Sequence, residues 1–226
     1  MIGTPRWHLR STDSTNLRAR ELALRGAPHG TLVTADEQTA GRGRQGRTWT
    51  APPGRALLMS VVLRDPPPLL PLVAAVAVVD TVGAGAQIKW PNDVRVDGRK
   101  IAGILAEGRP ADGWAVLGIG LNVAVRPSDF PDELRDRATS MGLQPADVEG
   151  VLATLVRRLD RRLRVGAAET LAAWREHDEL RGRSITWNGG AGVAEGVDEE
   201  GRLLVRTPGG DVQALDAGEV HLGAQN

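Results

Sequence analysis

Pro52 and Pro53 limit the fold of this chain more than any other pair of residues. They stand just beyond Trp49 in GRGRQGRTWTAPPGR, residues 41–55. Within that stretch Gly41, Gly43 and Gly46 satisfy the dinucleotide pattern G-x-G-x-x-G. Gly41, Gly46, Arg47 and Thr48 satisfy the phosphate-loop pattern with Arg in place of Lys. Both patterns need a helix directly after the loop, because its first N–H groups hold the phosphates. Proline has no N–H and clashes with the preceding turn, so no helix passes its first turn here. The dinucleotide reading also needs an acidic residue about twenty positions on, at the end of a second strand. Asp65 has the distance, but three prolines follow it and no crossover helix precedes it. Both nucleotide folds are excluded. A loop remains in which Arg42, Arg44 and Arg47 alternate with glycine. Glycine lets backbone approach a ligand closely, and arginine meets phosphate or carboxylate with paired hydrogen bonds. Ordinary loops favour Ser, Asn and Asp instead. Trp49 adds a flat apolar anchor able to stack on a purine.

The flanking elements follow from pattern. Residues 6–12 (RWHLRST) and 30–36 (GTLVTAD) read as strands, with a helix between them that Ser14 caps and Gly26 ends. ALLMSVVL (56–63) is a buried strand, and LLPLVAAVAVVDTV a buried helix ending near Gly83. Asp97-Gly98 between VRV and RKI is a hairpin turn. WAVLGIGLNVAV (114–125) is a strand with glycines where a ligand or backbone comes close. Residues 147–164 form an amphipathic helix with Val148, Val151, Leu152, Leu155, Leu159 and Leu163 on one face. A further helix, AAETLAAWREHDEL, follows Gly166. From Arg183 short strands alternate with Asn-Gly-Gly, Glu-Glu-Gly and Pro-Gly-Gly turns, which places a domain boundary near 181: residues 1–181, then a small all-β module over 182–226.

Charge narrows the function. Acidic and basic residues balance at 28 each, which argues against general nucleic-acid binding. The arginine run 157–164 is therefore read as a solvated helix face. The absence of cysteine removes thiolate nucleophiles and cysteine zinc sites. The four histidines show no ligand spacing. The N-terminus has no apolar signal core, and Asp80 interrupts the longest aliphatic run, so a cytoplasmic protein without membrane association is expected. Only two of the 28 basic residues are lysine, Lys89 and Lys100. A chain that uses Arg for plain positive charge keeps Lys where a compact, flexible charge is needed.

Five segments in order resemble the biotin protein ligases: DSTN (13–16), EQTAGRGRQGRTW (37–49), KWPNDV (89–94), KIAGIL (100–105) and GIGLNV (118–123). ATSM (138–141) and the C-terminal module fit as well, so the likeness runs from about Trp7 to Leu222. It implies an α+β fold: a mixed β-sheet with helices packed on it, like the class II synthetases, plus a small SH3-like β-barrel. It implies an enzyme that joins biotin to ATP, holds biotinyl-5′-AMP and passes biotin to one lysine of a biotin carboxyl carrier domain of an acyl-CoA carboxylase. The chain resembles the short monofunctional form that lacks a DNA-binding domain, as monomer or homodimer.

By that resemblance Ser14, Thr15 and Gln38, with Asn16 beside them, hydrogen-bond the ureido ring. Arg42, Gly43 and Arg44 line biotin and the phosphate, Arg44 nearest the reacting groups. Arg47 either joins them or fixes the loop by a salt bridge. Trp49 covers the adenine side, and Asn122 reaches the nucleotide or its metal. Lys100 bridges the biotin carboxylate and the α-phosphate as the key catalytic residue, with Lys89 in a phosphate or structural role. Asp93 either helps deprotonate the incoming lysine or anchors the Trp-Pro-Asn-Asp turn. Mg2+ is implied with ATP, bound through phosphates rather than a dedicated metal site. Residues 39–50 are expected to close over the adenylate. A ligase or transferase for lipoate or octanoate, a non-catalytic regulator that binds biotin and ATP without turnover, and a nucleic-acid module built on the C-terminal barrel are the competing readings.

Overall fold

The computed structural model describes residues 1–109, 112–216, 218 and 220–222. A seven-stranded sheet has the order β1-β2-β3-β7-β6-β5-β4. Its members are β1 (Arg6–Thr12), β2 (Leu32–Gln38), β3 (Ala56–Arg64), β4 (Ala86–Lys89), β5 (Asp93–Val96), β6 (Arg99–Arg109) and β7 (Trp114–Asn122). Only β1 and β2 run parallel, joined through α1 (Thr15–Leu24); the other pairs are antiparallel. The sheet is mixed, as expected. Strand β3 is aliphatic without alternation because both of its faces are covered. Met59, Val61 and Leu63 face the main core, while Val62 packs with Ala19 and Ala23 of α1. So α1 lies on one face. On the other lie α2 (Leu70–Val82), α3 (Val148–Arg162) and α4 (Ala167–Glu176).

Local chemistry accounts for most element ends. Asp97 and Gly98 both adopt positive φ, which suits a two-residue hairpin turn. Gly83 caps α2. Ser14 occupies the N-cap of α1 with extended backbone, but its side chain makes no capping bond, so the expected cap is positional only. Strand β7 stops at Asn122, three residues early. Val123 and Ala124 turn their N–H groups to Arg55 O, and Val125 donates to the Ser140 hydroxyl. The short β4 was not anticipated, since Gly83 and Gly85 precede its four residues and Trp90-Pro91 follows them.

The second sheet has the antiparallel order β11-β10-β9-β8-β12. It comprises β8 (Ser184–Trp187), β9 (Gly190–Val197), β10 (Leu203–Arg206), β11 (Val212–Leu215) and β12 (Val220–Leu222). Ile185, Val197, Leu203 and Val205 belong to the same apolar cluster as α2 and the large sheet. The buried Trp90 donates its indole N–H to Gly201 O at 3.0 Å.

Candidate active site

Three glycines pave the α1 face of the large sheet. Gly103 on β6 pairs with Gly120 on β7, and Gly118 lies one row along, opposite Ser60 of β3. With no side chains in that row, the Trp49 ring lies flat on the strands. A Cβ at Gly120 would come within 2.6 Å of Trp49 Cε2, and one at Gly103 within 3.1 Å of Cζ3. The indole N–H is buried without an acceptor. Around this floor a cleft opens, lined by Ser14, Thr15, Asn16, Gln38, Arg42, Gly43, Arg44, Arg47, Trp49, Lys89, Asp93 and Lys100. Val220 of β12 and Gly218, two residues before it, also line it.

The arginine loop is a small hairpin. Arg42 bridges Thr48, Gly43 N–H donates to Arg47 O at 2.7 Å, and Trp49 N–H donates to Gly41 O at 3.0 Å. Gly41 is obligatory, since a Cβ there would run into Trp49 O. Arg42 pairs with Glu107 at 3.2 Å. Arg44 reaches towards Asn92 Oδ1 at 3.5 Å, and Asn92 donates to Ile104 O at 2.9 Å. The turn after β4 is thus tied down by Asn92. The Asp93 carboxylate instead meets Lys100 Nζ at 2.6 Å. Lys100 also stands 5.6 Å from the Trp49 ring centroid.

Charge in the cleft is unbalanced. Arg44, Lys89 and Lys100 all feel the carboxylate of Asp93, and Lys89 also feels that of Glu179, itself paired with Arg95. Burial lowers the pKa of Lys89 against the opposing pull of Asp93, and burial likewise lowers that of Arg44. Cations held out of water with too few counter-ions form a site for an anion.

The polar wall opposite is a hydrogen-bonded chain. Gln38 Oε1 accepts from the Thr15 backbone N–H at 2.7 Å and from its hydroxyl at 2.9 Å. Ser60 Oγ lies 2.8 Å from Thr15 Oγ1 and 2.6 Å from Asn16 Oδ1. Asn16 Nδ2 donates to Glu107 Oε2 at 2.9 Å.

Of the residues singled out from sequence, Asn122 alone is absent from the cleft lining. It is 4% exposed and donates to Thr139 O at 2.9 Å. Thr139 N–H donates to Lys100 O, and Lys100 N–H to Arg137 O. Asn122 therefore braces the ATSM segment, which with the preceding Arg137 grips the Lys100 backbone from both sides. Sequence reading missed Ser60, Asn92 and Glu107. Glu107 carried a signal, since Gly103, Leu105 and Glu107 alternate onto one face of β6.

Comparison with known proteins agrees with this geometry. Residues 8–123 match the biotin/lipoate A/B protein ligase family, and residues 188–223 match the biotin protein ligase C terminal domain. The bifunctional ligase/repressor BirA of Bacillus subtilis is 39% identical over 93% of this chain and 71% of its own length. The biotin–[acetyl-CoA-carboxylase] ligase of Paracoccus denitrificans is 35% identical over 95% of this chain and 99% of its own. The biotin protein ligase from Aquifex aeolicus in complex with biotin and ATP superposes with a TM-score of 0.82 at 28% identity, covering 98% of this chain and all of that one. By sequence, fold and cleft, the chain belongs to the biotin protein ligase family.

Proposed function

We propose that this cleft condenses biotin with ATP to biotinyl-5′-AMP and then transfers the biotinyl group to a lysine of a biotin carboxyl carrier domain of an acyl-CoA carboxylase. One observation carries the reading: a cation cluster short of counter-ions faces a neutral polar wall across a glycine floor. The wall of Ser14, Thr15 and Gln38 suits a urea, which needs donors and acceptors but no charge. The cations suit a carboxylate meeting a triphosphate.

In the first step a biotin carboxylate oxygen attacks the α-phosphorus, and the bond to pyrophosphate breaks. Two anions must approach, so the reaction needs positive charge where negative charge accumulates. Lys100 supplies it by leaving Asp93 for the bridging position between carboxylate and phosphate. Arg44 and Lys89 hold phosphate oxygens, and Arg42 and Arg47 secure the loop. The orphan indole N–H of Trp49 awaits an acceptor from the ligand. Magnesium would be held through the phosphates of ATP and would neutralise part of their charge.

In the second step the carrier lysine attacks the biotinyl carbonyl and AMP departs. Asp93, freed when Lys100 turns to the phosphate, accepts a proton from the incoming amine. Loop 39–50 shields the mixed anhydride from water meanwhile. A cytoplasmic location fits the need for ATP.

Biotin-dependent exchange of labelled pyrophosphate into ATP tests the proposal. Wild type should exchange, and Lys100→Ala should lose exchange while keeping its fold. Exchange driven by octanoate or lipoate instead would move the chain to the sister activity. Tight biotin binding without exchange would make it a sensor.

A further inference from the structure

Asn16 reads from sequence as a biotin ligand, yet its amide is committed elsewhere. Its nitrogen serves Glu107 Oε2 at 2.9 Å and Leu105 O at 3.3 Å, and its oxygen faces the Ser60 hydroxyl at 2.6 Å. Gly118 exists to admit it, since a Cβ there would run into Asn16 Oδ1. Glu107 in turn pairs with Arg42 on the loop at 3.2 Å. An unbroken chain of contacts thus runs from Arg42 through Glu107, Asn16, Ser60 and Thr15 to Gln38. Gln38 ends β2, directly before loop 39–50. The two ends of one network hold the loop where it leaves β2 and at the base of its hairpin, where Arg42 bridges Thr48.

We infer that Glu107 is a positioning residue that docks the arginine loop and sets the hydrogen-bonding polarity of the biotin pocket. An ionised carboxylate only accepts, so it turns the Asn16 nitrogen towards itself and the oxygen towards Ser60. Ser60 is fully buried and has one proton, which the Asn16 oxygen takes at the shorter distance. The Ser60 oxygen then faces Thr15 as an acceptor, and the Thr15 hydroxyl shares its one proton between Ser60 and Gln38 Oε1. Gln38 Oε1 is held by the Thr15 backbone N–H whatever the state of Glu107, so the Glu107 charge acts on the Asn16, Ser60 and Thr15 part of the wall while the Gln38 amide nitrogen stays a donor for the ligand. The same carboxylate draws Arg42 down over that wall. Charge on Glu107 therefore couples pocket polarity to loop closure.

The inference rests on the biotin-ligase reading, and its test separates the two. Glu107→Gln keeps the shape, removes the charge and lets the Asn16 amide lie either way. Biotin binding without ATP is measured by titration calorimetry. The KM for biotin, the KM for ATP and the escape of biotinyl-AMP into solution are measured with ATP present. Glu107→Gln should weaken biotin binding and speed adenylate escape, each about threefold, as for loss of a partly exposed ion pair. The KM for ATP should hold within the error of wild type. Arg42→Gln should speed escape similarly, and the double variant should be no worse than either single one. Glu107→Asp should recover part of the loss. A folded Glu107→Gln variant with unchanged biotin affinity and escape rate would overturn the inference. So would effects of Glu107→Gln and Arg42→Gln that multiply. Wild type that binds biotin but forms no adenylate would overturn the ligase reading, while the binding titration would still judge Glu107.

Discussion

Adding one methyl group at Gly120 should damage ligand binding without damaging the fold. A Cβ there would sit 2.6 Å from Trp49 Cε2 and 2.9 Å from both Cζ2 and Nε1. Carbon atoms rest at about 3.5–4.0 Å, so the ring must retreat by roughly 1 Å. Trp49 ends the arginine hairpin and is tied to Gly41 O, so the loop moves with it. Overpacking of this kind costs about 1–3 kcal/mol, and the midpoint corresponds to roughly thirtyfold in an equilibrium constant. Because the strain falls on a loop that rests on the sheet, it should appear in binding rather than in global stability. Gly103→Ala is the internal control. Its Cβ would meet Trp49 Cζ3 at 3.1 Å, and otherwise the flexible end of Lys100 at 3.3 Å. A shift of a few tenths of an ångström would relieve it, costing roughly twofold. Calorimetric titration with biotin and with ATP should rank wild type, Gly103→Ala and Gly120→Ala in falling affinity, at nearly equal melting temperatures. Gly120→Ala binding as tightly as wild type, or Gly103→Ala proving the worse, would refute the reasoning.

Breaking the ion pair between Arg95 and Glu179, 2.9 Å apart with Glu179 2% exposed, should cost about 3 kcal/mol. For a chain of this size Glu179→Gln should then melt roughly 6–12 °C lower in differential scanning calorimetry. Burial raises the pKa of Asp178, whose Oδ2 is buried without a partner. The folded state binds this proton more tightly than the unfolded one, so stability should fall as pH rises above the ordinary Asp range through the raised folded pKa. Asp178→Asn should flatten that limb in denaturant titrations across pH. Finally, the only two lysines line the cleft, so an amine-specific acylating reagent should act on side chains only there. Inactivation should track label on Lys89 and Lys100 by peptide mass mapping, and biotin with ATP should protect both. Full activity after both lysines are labelled would contradict their assigned role.

The cleft was more legible in sequence than the fold around it. Arg42, Arg44, Trp49, Lys89 and Lys100 stand out because the chemistry of anion binding limits the residue types, and because lysine is scarce here. The order β3-β7-β6 was not legible, since register between distant strands depends on packing that local pattern does not encode. Ser60 reads from sequence only as one residue of the buried strand ALLMSVVL. Its meaning lies in Thr15 and Asn16, which reach it only through the tertiary fold. Asn122 was assigned to the nucleotide by its place in GIGLNV. In the structure it spends its amide on Thr139 and supports Lys100 at one remove. Such support cannot be told from ligand contact by spacing alone, because both demand the same residue at the end of the same strand.

The hydrogen bond from Trp90 to Gly201 bears on how this protein can be altered. Lys89 and Asp93 flank a turn whose first residue, Trp90, is anchored in the β9–β10 connection, and the same module also contributes Gly218 and Val220 to the cleft. Modularity in sequence is therefore not independence in assembly. A chimaera that exchanges residues 182–226 for those of a relative replaces the socket of Trp90 as well as one wall of the cleft. Such an exchange should succeed only when the 89–93 turn travels with its matching socket. The unit of inheritance is that pair, which spans both sheets.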